Sequence, residues 1–594
     1  MVAALADLAL RRPWALLAAN LVVLGIAVVL AVGAPDRLAV GSLALSEPAA
    51  EQAAGGPPPD LVIATTGPVP VRSGVYRVAL RVIASGVRAD AHVSSVRRGP
   101  ISANGRSTSL NVFLSSGDEG ERQREVERIE AGIDPGPLRL AFGGEVGAPV
   151  EARHSLSGDL WRLEFLVLPF AILVLAAALG PRLAVAPVLC AATAIAGSLA
   201  GLRIADAFAS VSLLGIAPAA VLGLALGVEA PCLVVARFCD EAPSTPHPVA
   251  VRRALAAAAE LALPLGVGAT AATAGVVATT LDQAGSMVLA CGLAAAMALA
   301  SALVCVPALV VLWGPAAVDA AREPRGEPRL ARAPGAVASF LARSRLRTAL
   351  VGVIAAGAML AAAAPALHGD SRPFSSFDLP LAAHARTTLA EAASGATPAG
   401  AAASATGGGA EVPGDARQSL FEKLALAAGV SAGALAIVLV LSFRSLRVLP
   451  VAIVTLLPAA AACGLCVLLF QDGHPAAALG QRRQAALETG AVASMLTGLV
   501  AVLAARGVTA LRAARGERGL GLAPGRGAET AAAFTVPAAI VATLVVAAAT
   551  AVLAGADLYP AREFGLAVAA GLLVDLVFLR VPLIAALARW GGED

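Results

Sequence analysis

Residues 223–238 read GLALGVEAPCLVVARF. The run is apolar on both sides of Glu229, and an arginine follows only at Arg237. Such a segment is too hydrophobic for a solvent-facing helix. It reads as part of a membrane span that carries a carboxylate at a cost of roughly 2.5 kcal/mol or more on insertion scales. The rest of the chain has the same character. It is 594 residues long, 58% hydrophobic and 14% charged, where soluble domains carry about 25% charged residues. Its mean hydropathy is +0.79. The fold class is therefore a polytopic α-helical membrane protein, and Glu229 is an intramembrane acid that needs either a partner or a task.

A hydrocarbon core of about 30 Å takes about 20 apolar residues per helix, which gives about twelve spans. They fall at 14–32, 161–180, 183–202, 211–235, 255–279, 286–313, 348–367, 424–443, 447–470, 486–511, 531–554 and 563–588. Arg506 interrupts the 486–511 run. The first span has no persuasive A-x-A site after it and reads as a retained helix with its N-terminus in the cytoplasm. The inside loops then hold Arg182, Arg237, Arg252, Arg253, Arg444, Arg447, Arg512, Arg515 and Arg518, as the positive-inside rule requires. Arg482 and Arg483 run against it. Trp14, Trp161, Trp313 and Trp590 all lie at ends of spans, where an amphipathic ring belongs.

Several functions are excluded by composition. The net charge of +3 is spread over inside loops, so no nucleic-acid surface is expected. The seven cysteines lie in or beside apolar spans, which argues against a disulfide framework; Cys463 and Cys466 read as small packing residues. The six histidines are scattered in loops, so no metal site is expected. Lys423 stands alone, and G-x-x-x-x-G-K-[ST] cannot be written anywhere in the chain. No nucleophile motif stands out. The reading is a protein that is not an enzyme and needs no cofactor.

Internal repetition organises the spans. LAVAPV at 183–188 returns as LRVLPV at 446–451, and VPALVVLWG at 306–314 returns loosely as VPLIAALARWGG at 581–592. Two six-helix pseudo-repeats in parallel order account for this. The domain plan is a first transmembrane helix (1–32), an extracytoplasmic porter-like domain (33–158), transmembrane helices 2–6 (159–314), a cytoplasmic linker (315–347), transmembrane helix 7 (348–367), a short and largely disordered extracytoplasmic loop (368–423), and transmembrane helices 8–12 (424–594). Within the first loop, the segments near 60–67, 73–86, 93–99, 107–116, 119–133 and 138–146 give the order β-α-β-β-α-β, an α+β ferredoxin-like split fold. The 368–423 loop is Ala/Gly/Pro-rich and lacks periodicity, so a second porter domain is not expected there.

These residues resemble a family. GDLWRLEFLVLPFAILVLAAALGPRLAVAPVL (158–189), GLALGVEAPCLVVARF (223–238), LFQDGHPAAALG (469–480) and REFGLAVAAGLLVDLVFLRVPLIAAL (562–587) are similar to segments of the MMPL branch of the RND (resistance-nodulation-division) transporters. The resemblance spans nearly the whole chain except 368–423 and 481–530. It implies a multi-pass transporter of the bacterial plasma (inner) membrane that uses the proton gradient to export lipids or other hydrophobic molecules. In that family an Asp-Tyr pair in the fourth helix and another in the tenth form a proton relay. Glu229 fills the first position, since a buried carboxylate holds a proton more readily than one in water. The departures are large. Ala230 replaces the tyrosine, and the tenth-helix slot falls on Val502–Leu503 or Ala504–Ala505. The sequence therefore reads as a degenerate member.

The candidate residues follow. Glu229 and Asp575 are proton-relay candidates, each weighed against a structural buried acid. Arg506 is a possible partner that would lock Glu229 ionised. Arg580 lies five residues after Asp575, a spacing that does not share an α-helical face. Asp159 and Glu164, with Arg162 and Trp161, cluster at the start of the second helix, as an interfacial charge group or a link to the porter domain. Two functions remain open: a transporter for lipid or another hydrophobic molecule, or a non-pumping scaffold or regulatory subunit of an envelope transport or synthesis complex. Membrane lipids, an envelope protein partner or self-association are the expected partners. The single porter domain, open on one side, motivates a partner-dependent activity.

Overall fold

The computed structural model describes residues 2–32, 59–102, 105–115, 119–144, 146–147, 150, 166–208, 211, 215–242, 244–256, 285–322, 329–372, 418–444, 446, 449–471, 487–519, 523–554 and 559–589. Asp159, Trp161, Arg162, Glu164, the 255–279 span beyond residue 256, Arg482, Arg483 and most of the 368–423 loop lie outside the described residues.

After the first spanning helix, Pro13–Ala31, the chain builds an α/β unit. Its elements run β1 (Leu61–Thr66), α1 (Gly74–Arg88), β2 (Val93–Ile101), β3 (Ser107–Leu114), α2 (Glu119–Gly132) and β4 (Arg139–Gly143). The sheet order is β2-β3-β1-β4, with β1 antiparallel to both of its neighbours and β2 antiparallel to β3. Ile63 sits between Leu110 and Phe142 in the central register. Alternation along the strands puts Leu61, Ile63, Leu110 and Val112 in a core with Val126 and Ile129 of α2. Ser73 caps α1 by accepting from the Tyr76 N–H. The Asp60 carboxylate accepts from the Leu114 N–H at 2.8 Å and from Arg122 at 3.0 Å, tying the end of β3 to α2.

Helix α1 has two apolar stripes, and the fold uses one of them. Tyr76, Leu80, Ile83, Ala84 and Val87 face the core. Val75, Val78 and Val82, whose spacing announces the helix in the sequence, are exposed. The choice is made by Tyr76, whose hydroxyl donates to the Thr65 carbonyl at 2.7 Å from within the core.

Eight helices among the described residues are long and apolar enough to cross a membrane: Pro13–Ala31, Val185–Asp206, Ala219–Cys239, Met287–Gly314, Arg345–Leu367, Leu449–Gln471, Arg526–Val552 and Gly565–Arg589. Leu166–Leu179 and Gly429–Leu441 are shorter apolar helices at two further expected spans. The 486–511 run lies in a helix, Thr489–Gly519, that is preceded by a short strand, Leu487–Glu488. Four helices carry the centre of the bundle, labelled here α3 (Ile216–Glu241), α4 (Thr489–Gly519), α5 (Pro524–Ala554) and α6 (Tyr559–Val574). Helix α6 continues through a π-helical turn, Asp575–Leu579, into α7 (Arg580–Arg589). Helix α3 packs on α4 and α5, and α4 packs on α5, α6 and α7. The fourth and tenth expected spans therefore meet at the centre.

The structure adds detail to two segments. The 315–347 linker is largely helical: Gly285–Arg322 runs on past its span, and Arg329–Ala342 forms a helix packed on α5 and α7. The 368–423 loop is ordered at its ends. Asp370–Arg372 pairs antiparallel with Gln418–Ser419 and parallel with Leu487–Glu488. Main-chain pairing needs no apolar side chains, which is why composition did not announce it.

Candidate functional site

Small residues let the central helices approach one another, as in other helical membrane bundles. A Cβ on Gly227 of α3 would lie 2.5 Å from the Ala191 Cα, so α3 and the Val185–Asp206 helix are in backbone contact there. A Cβ on Gly507 of α4 would lie 2.5 Å from the Thr455 Cγ2. Pro231 removes one backbone donor from α3, yet the helix runs unbroken through it. Glu229 is thereby held two residues from a close backbone contact, facing α4.

There it meets Arg506. The Arg506 Nε donates to Glu229 Oε2 at 3.0 Å, its Nη1 donates to Asp575 Oδ2 at 3.1 Å, and its Nη2 donates to the Ala539 carbonyl of α5 at 3.2 Å. One guanidinium thus joins α3, α4, α5 and the π-turn that follows α6. The planar fork of arginine suits this, since it presents donors in several fixed directions at once. Arg580 Nη2 lies 3.6 Å from Glu229 Oε1, within ion-pair range but beyond a hydrogen bond. Glu229 is 5% exposed, Arg506 0%, Asp575 3% and Arg580 1%. Two carboxylates and two guanidiniums give a neutral cluster, the arrangement that makes buried charge tolerable.

The π-turn explains Arg580. In an α-helix with 3.6 residues per turn, positions i and i+5 are well off one face. In a π-turn the i→i+5 bond closes about one turn over five residues. The Arg580 N–H donates to the Asp575 carbonyl in this way. Both residues therefore turn toward Glu229 and Arg506. Among the described residues Asp575 and Arg580 form no direct ion pair, in keeping with the sequence spacing, but they serve one cluster. Pro582 lies in the following turn and cannot donate to the carbonyl four residues back, which favours a local departure from α-geometry.

The cluster brings together Glu229, Asp575, Arg506 and Arg580 out of the six candidate site residues. Asp159 and Glu164 lie outside the described residues. The Ala539 carbonyl was not foreseen, because nothing in an apolar side chain marks its main chain as an acceptor. The apolar positions of the expected relay are buried: Val502, Leu503, Ala504 and Ala505 are all 1% exposed or less. A second polar contact joins spans elsewhere in the bundle. Ser301 Oγ donates to Asn20 Oδ1 at 2.9 Å, and Asn20 Nδ2 donates to Thr193 Oγ1 at 3.3 Å. No group of three His, Cys, Asp or Glu side chains suited to a metal occurs among the described residues.

With this geometry established, comparison with known proteins gives a consistent placement. The MMPL family model matches residues 79–349. A Streptomyces coelicolor protein, named only as a membrane protein, is 29% identical over 285 residues, 45% of this chain and 37% of that protein. The matched region thus spans little more than a third of that relative's length. Among solved structures, SecDF from Thermus thermophilus, a translocon-associated membrane protein, is similar with a TM-score of 0.50 and 14% identity, over 89% of this chain and 84% of that one. SecDF in its super-membrane-facing form gives 0.51 and 12%, over 96% and 98%. At these identities the structures show a shared fold. The family match shows the MMPL resemblance over 79–349, and with the long apolar helices it indicates a multi-pass membrane protein.

Proposed function

We propose that this MMPL-related chain is a transporter that moves a lipid or another hydrophobic molecule out of the bacterial plasma membrane, and that its central ion-pair cluster is the element through which protons act. The observation that carries the reading is Arg506 bridging Glu229 and Asp575 across four segments of the bundle. Protonating either acid removes the charge that holds Arg506, and the buried guanidinium then drives the helices to repack. Breaking one buried pair from one side costs about 3–5 kcal/mol. Moving one charge through 100 mV supplies about 2.3 kcal/mol. The potential acting on one proton therefore falls short of breaking one pair, and the proposal has the pH difference across the membrane supply the rest. The α/β unit, whose elements run β-α-β-β-α-β, is taken in this reading as a ferredoxin-like porter domain.

The test is the purified full chain in proteoliposomes holding a fluorescent phospholipid, with an imposed pH gradient. Glu229→Gln and Asp575→Asn should each abolish gradient-dependent movement while the protein stays folded. Movement unchanged in both variants would sink the coupling.

A second reading is supported by a specific observation. The residues at the tenth-helix relay slot are apolar and buried, so the cluster is equally suited to a permanent lock. In that case the chain acts as a scaffold or regulatory subunit of an envelope complex. Glu229→Gln would then lower stability without altering any gradient response, and the chain would co-purify with a full transporter.

A further inference from the structure

The segment between the two halves carries a feature that the charge cluster does not use. Helix Arg329–Ala342 and the spanning helix Arg345–Ala363 meet in an elbow at Arg343–Ser344. The first helix buries Ala338, Leu341 and Ala342, while Val337 and Phe340 are 50% and 54% exposed. The elbow is held in shape by the chain itself. Thr348 Oγ1 donates to the Leu341 carbonyl at 2.8 Å, and Arg589 Nη1 donates to the Ala342 carbonyl at 2.8 Å. The Arg347 guanidinium stacks over the Phe340 ring at 4.3 Å and so joins the two helices.

Two properties identify what covers this surface. The first is continuity. Leu346, Leu350 and Val353 share a face of the spanning helix and are exposed. In a membrane span such side chains face lipid, and the Arg347–Phe340 stack links that helix to the exposed Phe340 and Val337 of the first. The second is charge. Arg343, Arg345 and Arg347 are exposed at the elbow, and no acidic side chain among the described residues pairs with Arg343 or Arg347. Apolar side chains in the acyl region with guanidiniums at their upper edge define the headgroup level of a bilayer, and juxtamembrane arginines there favour anionic lipid. An acidic protein would meet the arginines but would have to displace bilayer from the valine, phenylalanine and leucine surface.

We propose that the elbow is a binding site for an anionic phospholipid of the adjoining leaflet. Its phosphate lies on Arg343 and Arg347, and an acyl chain runs along Leu346, Leu350 and Val353. The inference stands apart from the transport reading, because it needs neither proton coupling nor cargo.

The test uses the full chain in nanodiscs of phosphatidylcholine mixed with phosphatidylglycerol, with the lipid retained after mild detergent extraction measured by mass spectrometry. The wild type should retain phosphatidylglycerol in preference. Arg343→Gln and Arg347→Gln should each lower that retention roughly fivefold, with unfolding in pure phosphatidylcholine discs unchanged for Arg343→Gln. Arg347→Lys should keep part of it, since the charge stays and the stack goes. Should a glutamine variant fail to fold, competition on the wild type decides: excess soluble glycerol phosphate should leave the lipid bound. Equal retention of both lipids by the wild type, full retention by both variants, or displacement by glycerol phosphate would each overturn the proposal.

Discussion

Arg506→Met tests the central cluster most directly. The arginine makes three hydrogen bonds, to Glu229, Asp575 and the Ala539 carbonyl, and is fully buried. Its removal leaves two buried carboxylates facing one guanidinium, that of Arg580, which stands 3.6 Å from Glu229. Removing one partner of a buried pair costs about 3–5 kcal/mol, a large share of the total stability of a folded protein, about 5–15 kcal/mol. The cost comes mostly from the orphaned charge, so rebalancing should recover it. Arg506→Met with Asp575→Asn keeps Glu229 and Arg580 as a matched pair. Arg506→Met with Glu229→Gln leaves one carboxylate, Asp575, and one guanidinium, Arg580, balanced in charge without a direct pair. Both double variants should be more stable than the single one, with a coupling of about 0.5–3 kcal/mol. The measurement is denaturant unfolding in mild detergent, extrapolated linearly. A single variant within about 0.5 kcal/mol of wild type, or double variants that simply add, would refute the ion-pair cluster as the organiser of the bundle.

Further outcomes follow from other contacts. Gly227→Ala should destabilise by about 1–3 kcal/mol, as overpacking does, because its new methyl would lie 2.5 Å from the Ala191 Cα; thermal unfolding in detergent checks it. Tyr76→Phe should cost about 1–3 kcal/mol in the α/β unit, since Thr65 loses its 2.7 Å and 2.9 Å partners; faster amide exchange in β1 is the readout. In the same unit, burial and then the neighbouring Asp90 carboxyl push Glu125 above the ordinary glutamate range. The folded chain therefore holds this proton more readily than the unfolded one. The stability it contributes is present below the ordinary glutamate range and is lost as pH rises through the raised value. Asp90 works oppositely: the His92 N–H holds it below the usual aspartate range, so its contribution is lost as pH falls through that lowered value. Glu125→Gln should flatten the fall on the high-pH side and leave the low-pH side in place, which amide exchange across a pH series would show.

Much of the site was legible because charge inside an apolar helix is rare enough to be conspicuous. Glu229, Arg506, Asp575 and Arg580 stand out in their runs, and a pairing of Glu229 with Arg506 follows from the need of each for a partner. Other features were not legible. Asp575 as a second ligand of Arg506 depends on how α6 is rotated against α4. The approach of Arg580 depends on a π-turn, which changes the periodicity from which faces are read. In α1 both stripes have helical spacing, so the sequence announced a helix without saying which side it buries.

By itself the sequence determined the solvent. Fifty-eight per cent hydrophobic residues in long runs admit a bilayer and little else, and the alternation of strand and helix signals in the first loop determined an α/β unit. These are local matters, decided by composition and period over one segment at a time. The tertiary structure alone decided that four charges from three distant parts of the chain cancel one another. It also decided that Asp370–Arg372 pairs with both Gln418–Ser419 and Leu487–Glu488, and that α1 turns its valines outward. Each depends on distance and orientation between segments, on which side chain reaches which neighbour, and a linear pattern does not contain that information.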